Sequence, residues 1–311
     1  MLIDLTDTTT GEIRAALTKA RDQLGGPTTG VVLNLIIMTD ESSQHDAVRA
    51  ASHAGREHPC RVIGVIARDP HGRSRLDAEI RAGEGAPGQT VLLRAYGPAS
   101  MHADSVVMPL LVPDTPVVTW WPSAGPATPS AEPLGALAQR RITDAAAASS
   151  PADALLALAE GYQPGDTDLS WTRATSWRSV LAATLDQPHG AISGGIVAAE
   201  ERNPTADLIA AWLSTRLGVP FQRDISSGPG ITEVSFMTSE GDISITRPDG
   251  RTASLRRPGE PPRTVALHRR ETPDLLAEEL RRLDPDEVYG EVLAAAAASS
   301  TVAAASPAGG R

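Results

Sequence analysis

The sequence contains a single cysteine, Cys60, in a chain of 311 residues. One cysteine cannot pair within its own chain, so an internal disulfide framework and an internal dithiol switch are excluded. No cluster of Cys and His has the spacing of a zinc site, and neither H-E-x-x-H nor the phosphate loop G-x-x-x-x-G-K-[ST] occurs. We therefore predict a protein with no metal site and no bound cofactor.

Positive charge is also scarce, because acidic residues outnumber basic ones and give a formal net charge of −10. Such a chain lacks the basic footprint of a nucleic-acid-binding protein, and an anionic membrane surface would repel it. There is no cationic start followed by an apolar segment, and the apolar runs are too short or too rich in alanine to span a bilayer. We expect a cytoplasmic protein that binds neither nucleic acid nor membranes.

The first half of the sequence alternates buried strands with helices. Apolar runs at 31–38 and 61–67 predict strands that are buried on both faces, and residues 42–57 between them predict a helix. This β-α-β unit implies two parallel strands joined by a right-handed crossover. Alternating segments at 76–81 and 90–94 predict a hairpin, so we expect an α/β domain with a mixed, mainly parallel sheet and helices.

The second half is richer in short strands that are separated by turn residues. Five such segments between residues 221 and 268 predict an antiparallel sheet with helices, which is an α+β domain. A loop at 161–168 marks the change, so we predict an N-terminal domain at 1–165 and a C-terminal domain at 166–292. The remaining residues, 293–311, are rich in Ala, Ser and Gly and are expected to be a disordered tail.

Few local motifs suggest chemistry, and we predict no catalytic residues. Gly83–Gly88 spells G-x-G-x-x-G, but predicted strands flank it and no helix follows to bind a phosphate, so a hairpin turn is expected. The loop Ser226–Gly230 could bind an anion through backbone N–H groups, although a plain turn is commoner. A late group of arginines forms either a solvated face or a docking patch for an acidic partner or phosphorylated ligand, namely Arg251, Arg256, Arg257, Arg263, Arg269 and Arg270.

Aromatic residues are few: five Trp, three Tyr and two Phe. Two of the Trp lie in the segment 168–178, where Ser170 can cap a helix that begins at Trp171. Trp177 and Leu181 then share a stripe that faces the core. On one continuous helix Trp171 and Trp177 would be roughly 120° apart around the helix axis. An ordinary apolar stripe is about 100° wide, so a single stripe would not easily contain both. Either both are buried in different directions, or Trp171 belongs to a surface that binds a partner.

Several segments together resemble one known family. The most specific are Pro113-Asp-Thr-Pro-Val-Val-Thr-Trp-Trp-Pro122 and Gly165-Asp-Thr-Asp-Leu-Ser-Trp-Thr-Arg-Ala-Thr-Ser-Trp-Arg178, supported by Arg140-Arg-Ile-Thr-Asp144, Ala206-Asp-Leu-Ile-Ala-Ala-Trp-Leu213 and Leu280-Arg-Arg-Leu-Asp-Pro-Asp-Glu-Val-Tyr289. They are similar to the OpcA family of glucose-6-phosphate dehydrogenase assembly proteins, in its actinobacterial branch. The resemblance implies a non-catalytic protein of the oxidative pentose phosphate pathway. It would bind the dehydrogenase and act as an allosteric activator that favours the active oligomer.

The tryptophan pattern suggests where such a partner would bind. Trp and Arg are the side chains that most often anchor interfaces, and we assign to the partner surface Trp120, Trp121, Asp168, Trp171, Arg173 and Arg178. The alternative is a small-molecule sensor or enzyme that uses the cleft of the N-terminal α/β domain. Ligands of such sheets bind beyond the carboxyl ends of the strands, here near Asp40, Arg68 and Asp69. A third hypothesis is that this cleft has lost its ligand and serves docking.

Overall fold

The computed structural model describes residues 1–24, 30–83 and 89–305. The chain forms two compact units, and neither unit is one continuous segment. Unit 1 contains Met1–Asp144, Gly165–Thr167 and Glu271–Pro285, and unit 2 contains Ala145–Pro164, Asp168–Arg270 and the chain from Asp286 onwards. This division differs from the expected one at 161–168 in two places, because 145–164 belongs to unit 2 and 271–285 belongs to unit 1.

Unit 1 is a sheet with helices. Its strands are β1 (Leu2–Leu5), β2 (Leu33–Thr39), β3 (Cys60–Ala67), β4 (Arg75–Ala82), β5 (Gln89–Tyr96), β6 (Val117–Trp120), β7 (Arg140–Thr143) and β8 (Asp166–Asp168). Its helices are α1 (Thr10–Leu24), α2 (Gln44–Glu57), α3 (Pro98–Met101), α4 (Ala103–Val107) and α9 (Thr272–Arg281).

The strands of unit 1 form one sheet in the order β1-β4-β5-β3-β2-β6-β7-β8. Strands β5, β3, β2, β6 and β7 run parallel, whereas β4 is antiparallel to both of its neighbours, β1 and β5. Strands β2 and β3 are buried along nearly their whole length, as expected for parallel strands that are covered on both faces. The prediction of a mixed, mainly parallel sheet is confirmed.

The glycine-rich motif at 83–88 connects β4 to β5. These strands pair antiparallel up to the register Ala82↔Gln89, so the strand assignments on both sides of the motif are confirmed. Residues 84–88 themselves lie outside the described part of the chain.

Helix α9 belongs to unit 1 although it follows the second sheet in sequence. It packs against α2 and buries Leu275 and Leu280. Arg140 on β7, which is only 4% exposed, donates to the Glu279 carboxylate at 2.5 Å and to the Asp284 carbonyl at 2.9 Å. Both apolar burial and a buried ion pair therefore hold α9 in unit 1.

Unit 2 combines a second sheet with helices. Its helices are α5 (Pro151–Glu160), α6 (Leu169–Arg173), α7 (Thr175–Leu185), α8 (Pro204–Leu217) and α10 (Glu287–Ala305). Its strands are β9 (Ile192–Ala199), β10 (Phe221–Ile225), β11 (Ile231–Thr238), β12 (Ile243–Thr246), β13 (Thr252–Arg256) and β14 (Arg263–Ala266). The order is β10-β9-β11-β12-β13-β14, antiparallel except for the β9–β10 pair, which confirms the predicted antiparallel sheet with helices.

The expectation of a disordered tail at 293–311 is corrected for residues 293–305, which continue helix α10. The reason is an apolar stripe at helical spacing: Tyr289, Val292, Leu293 and Ala296 are all buried. Helix α10 packs through this stripe against α8 and α5. Residues 306–311 lie outside the described part. In the part that is described, no helix combines the length and the apolar character that crossing a bilayer requires.

Candidate functional site

The segment 168–178 folds as two short helices, α6 and α7, with a turn at Ala174 between them. Asp168 is the N-cap of α6, since its carboxylate accepts the backbone N–H of Ser170 at 2.8 Å. The cap predicted at Ser170 is therefore wrong. The second carboxylate oxygen of Asp168 accepts the N–H of Ala145 at 2.8 Å, so the buried charge also fixes the start of unit 2.

Trp171 lies in the core of unit 2 and is 1% exposed. Its indole Nε1 donates to the Asp286 carboxylate at 2.8 Å, and its ring centroid lies 6.0 Å from that of Tyr289. The guanidinium carbon of Arg178 lies 3.7 Å from the Trp171 ring, in a cation–π contact. The structure thus brings Asp168, Trp171 and Arg178 into one part of unit 2.

The prediction that Trp171 faces a partner does not agree with this burial. Because the turn at Ala174 interrupts the helix, Trp171 and Trp177 are not on one cylinder, and an angle of roughly 120° between them does not apply. Trp177 is 2% exposed, so both tryptophans reach the core of unit 2.

Trp120 and Trp121 lie at the end of β6 in unit 1. They are 1% and 7% exposed, and the backbone N–H of Trp121 donates to the Ile142 carbonyl at 2.9 Å. The six residues assigned to the partner surface therefore divide into four buried ones and two half-buried ones, Arg173 and Arg178.

The polar residues at the carboxyl ends of β2 and β3 were the alternative ligand site. The Asp40 carboxylate accepts the hydroxyl and N–H groups of the next two serines, and these hydrogen bonds lower the pKa of Asp40 to about 2. Glu41 pairs with Arg94 at 2.7 Å and Arg68 at 2.5 Å, and the hydrogen bond from Arg94 lowers the pKa of Glu41. No glycine lies between β2 and α2. The polar groups at this edge of the sheet are thus already paired with one another, and they are not available to a phosphate-bearing ligand.

A basic cleft lies at the start of helix α8 in unit 2. Its volume is about 70 Å³, and its lining includes five basic side chains: Arg173, Arg247, His268, Arg269 and Arg270. Asn203 and Thr205, at the N-terminus of α8, also line it. None of the described residues of the lining is acidic. The cleft therefore gathers five basic side chains within a chain of negative net charge.

Arg247 is the buried member of this basic group, with 4% of its surface exposed. It donates to the carbonyls of Leu267 at 2.9 Å and Ile231 at 3.1 Å, and its guanidinium carbon lies 5.0 Å from the Trp177 ring. Its Nε is buried and has no hydrogen-bond partner among the described residues. Burial, and then repulsion by Arg269, lowers the pKa of Arg247 to about 10, so the side chain stays charged at neutral pH.

The sequence pattern did not select Arg247, although it contains a usable signal. Ile243 and Ile245 on β12 point to the buried face, and Arg247 continues the same two-residue period into the next turn. Arginine is rarely buried, so an arginine at a buried position of this period could have been selected as a candidate residue. Of the six arginines grouped from sequence, only Arg269 and Arg270 line the cleft.

Comparison with known families decides what kind of protein this is. Residues 51–160 match the model of the glucose-6-phosphate dehydrogenase subunit N-terminal domain, and residues 164–293 match the model of the C-terminal domain. The chain belongs to the OpcA family. The resemblance inferred from the sequence motifs is therefore confirmed.

Solved structures are similar to this OpcA-family chain in fold alone. A mutant 3-ketoreductase from Actinomadura kijaniata, in complex with TDP-benzene and NADP, has a TM-score of 0.50 at 12% identity, covering 87% of this chain and 96% of its own. An NAD binding oxidoreductase from Klebsiella pneumoniae has a TM-score of 0.47 at 10% identity, with coverages of 88% and 96%. No curated protein matches the sequence significantly.

Proposed function

We propose that this OpcA-family chain is a non-catalytic assembly protein that binds glucose-6-phosphate dehydrogenase and favours its active oligomer. The observation that carries the proposal is the pair of family models, which name subunit domains of this dehydrogenase and match most of the chain. The pairing of Asp40 and Glu41 with their own neighbours gives the alternative, a sensor or enzyme site in unit 1, less support.

An assembly protein acts through its difference in affinity for two states of its partner. If it binds the active oligomer more tightly than the inactive subunits, it shifts the equilibrium towards the oligomer by that difference and by no more. Such an effect requires a surface on this chain and no catalytic group.

Arg173 and Arg178 are the two residues of the predicted partner surface that the structure leaves half-exposed. Contact with the Trp171 ring holds Arg178 in place. An ordered arginine loses less side-chain entropy when it binds, which is a property of interface anchors. We therefore propose that these two arginines contact an acidic surface of the dehydrogenase, with the buried Trp171 as support.

The function is tested with the purified chain and the dehydrogenase of the same organism. Sedimentation velocity should show a complex containing both proteins and a larger share of assembled dehydrogenase, and the specific activity should rise. The chain alone should not oxidise glucose 6-phosphate. A dehydrogenase whose mass and activity are unchanged by an excess of this chain would contradict the proposal.

The surface is tested by charge reversal. Arg173→Glu should weaken binding of the dehydrogenase by about tenfold or more, because a desolvated charge pair becomes repulsive. Arg256→Glu makes the same charge change at an exposed residue that lies outside the basic cleft and should bind like the parent. Equal binding by both variants would place the interface elsewhere.

A further inference from the structure

We propose that two copies of this chain pair through strand β1, which lies at one edge of the sheet in unit 1, and form a two-fold symmetric dimer with a continuous sheet. The inference concerns the free chain and goes beyond the assembly function. It rests on the unpaired backbone groups of β1, on its apolar side chains and on a register in which two copies of the strand complement each other.

Strand β1 presents unpaired backbone groups at its outer edge. It pairs antiparallel with β4, and Met1 and Ala82 exchange backbone hydrogen bonds of 2.8 and 3.0 Å. In an antiparallel ladder every second residue bonds in this way, so Ile3 also points its N–H and C=O at β4. The N–H and C=O groups of Leu2 and Asp4 therefore point away from the sheet, and no described residue pairs with them.

Three of the four side chains of β1 are apolar. Leu2 is 56% exposed and lies on the outer face of the strand. Ile3 and Leu5 lie on the other outward-alternating positions, at the margin of the core of unit 1, and are only partly buried there. Helix α1 packs against β4, one strand in from the edge. Apolar side chains beside a free edge make β1 a template for a further strand.

The other described sheet edges are protected in ways that β1 is not. Strand β8, at the opposite end of the same sheet, is buried throughout. In unit 2 the edge strand β10 carries two charged residues at its centre, Arg223 and Asp224, and the edge strand β14 follows Pro261 and Pro262. Charged residues and prolines at an edge discourage pairing with another chain. We therefore assign β1 to the contact with a second copy.

One antiparallel register satisfies all the unpaired groups of both strands. It places Ile3 opposite Ile3 of the second copy, so that Leu2 lies opposite the second copy's Asp4 and exchanges two N–H···O=C bonds with it. The two-fold axis repeats this pair on its other side. A slide of two residues in one direction would put the two Asp4 carboxylates opposite each other, where like charges repel. A slide in the other direction would leave Asp4 unpaired.

The same register brings apolar side chains together at the two-fold axis. Opposite residues have their Cβ atoms about 4.5–5.5 Å apart, so the two Ile3 side chains touch. Four residues span only about 14 Å, however, and such an edge buries less than the ~800 Å² per partner of a standard interface. We therefore expect a weak dimer that is half formed at a concentration on the order of 100 µM.

Sedimentation equilibrium of the full chain, without the dehydrogenase and without an N-terminal tag, tests the pairing. Between about 10 and 500 µM the average mass should rise from the 32.5 kDa of one chain towards twice that value. Leu2→Glu places a carboxylate opposite Asp4, whereas Leu2→Lys places an ammonium group there. Because two cross-strand pairs change from repulsive to attractive, Leu2→Lys should dimerise about tenfold more tightly than Leu2→Glu.

Two controls separate the register from a general effect of charge. Thr18→Glu and Thr18→Lys make the corresponding charge changes at an exposed residue of α1 and should dimerise alike. In chains that also carry Asp4→Ala, the difference between Leu2→Glu and Leu2→Lys should disappear, because the carboxylate that distinguishes them is gone. Thermal melts show that all the variants are folded.

A parent chain that sediments as one copy over the whole range would overturn the proposal. Equal dimerisation of Leu2→Glu and Leu2→Lys would also overturn it, because the two copies would then meet at another surface. A difference that persists with Asp4→Ala would refute the register on which the proposal rests. Since the measurement contains no dehydrogenase, failure of the assembly function would leave its result unchanged.

Discussion

The indole Nε1 of Trp171 donates to one carboxylate oxygen of Asp286 at 2.8 Å, across 115 residues of sequence. The other oxygen of Asp286 accepts the backbone N–H of Tyr289 at 3.0 Å. That N–H belongs to the first turn of helix α10 and has no partner inside the helix. One carboxylate therefore caps α10 and anchors the tryptophan of the family-specific segment.

We predict that Asp286→Ala lowers the free energy of unfolding by about 2–4 kcal/mol. The change removes a helix cap, which contributes about 1 kcal/mol, and leaves a buried indole N–H unpaired, which costs about 1–3 kcal/mol. Urea unfolding followed by tryptophan fluorescence measures the loss. Glu287→Ala, at the exposed first residue of α10, is the control and should change the free energy by less than about 0.5 kcal/mol. Similar values for the two variants would refute the dual role of Asp286.

Trp171→Ala and Trp177→Ala should each destabilise the chain by roughly 3–5 kcal/mol, because both truncate fully buried aromatic side chains. Trp212, which is only partly buried, is the control, and Trp212→Ala should cost clearly less. Thermal melts followed by circular dichroism compare the three. A Trp171→Ala variant that melts like the parent would show that this tryptophan is not a core residue.

Local patterns predicted most strands and helices of both units, because each follows from the period of its own apolar residues. Helix α8 is an example: it begins at the Asn203 cap and ends at Gly218, whose φ is +67°. The turn at Ala174 was not predictable in this way, since neither proline nor glycine marks it.

The sequence also did not predict which segments pack together when they are distant along the chain. The stripe that includes Leu275 and Leu280 shows that α9 must be buried, but a stripe does not say against which surface. Four of the residues chosen for the partner surface proved to be buried. Three of them are Trp, which suits a core as well as an interface, and the fourth, Asp168, is the buried N-cap of α6. The cleft was missed because its members come from distant segments of the chain.

Truncation should separate the helical part of the C-terminal chain from its last residues. A chain ending at Leu293 loses the buried Ala296 and the rest of α10, and we expect its melting temperature to fall by several degrees. A chain ending at Ala305 keeps the whole helix and should melt like the parent. Differential scanning calorimetry compares both with the full chain, and equal melting of all three would show that α10 beyond Leu293 adds no stability.

The thiol of Cys60 should be inert in the folded chain. Burial raises the pKa of Cys60 from 9.0 to about 12, so the reactive thiolate is scarce at pH 8. We predict that a disulfide reagent labels the native chain at least about a hundredfold more slowly than the urea-unfolded chain. Cys60→Ala should not be labelled at all. Native labelling at the unfolded rate would contradict the burial.

The same raised pKa makes a prediction for stability. Because the pKa of Cys60 is higher in the folded chain than in the unfolded one, the thiol contributes to the free energy of unfolding. This contribution is complete below about pH 8.5 and is lost as the pH rises towards 12. The free energy of unfolding should therefore fall less between pH 8 and pH 10 in Cys60→Ala than in the parent. Urea unfolding at the two pH values measures this difference.

The return of α9 to unit 1 has a consequence for how the protein emerges from the ribosome. Unit 1 lacks its partner for Arg140 until Glu279 has been synthesised, and unit 2 lacks α10 until still later. Domains made from one continuous segment can fold one after another as they are synthesised. Neither unit of this chain can do so, because each one contains a segment that is synthesised late. Both must wait for almost the whole chain. A nascent chain of this kind keeps part of its apolar surface exposed until synthesis is nearly finished.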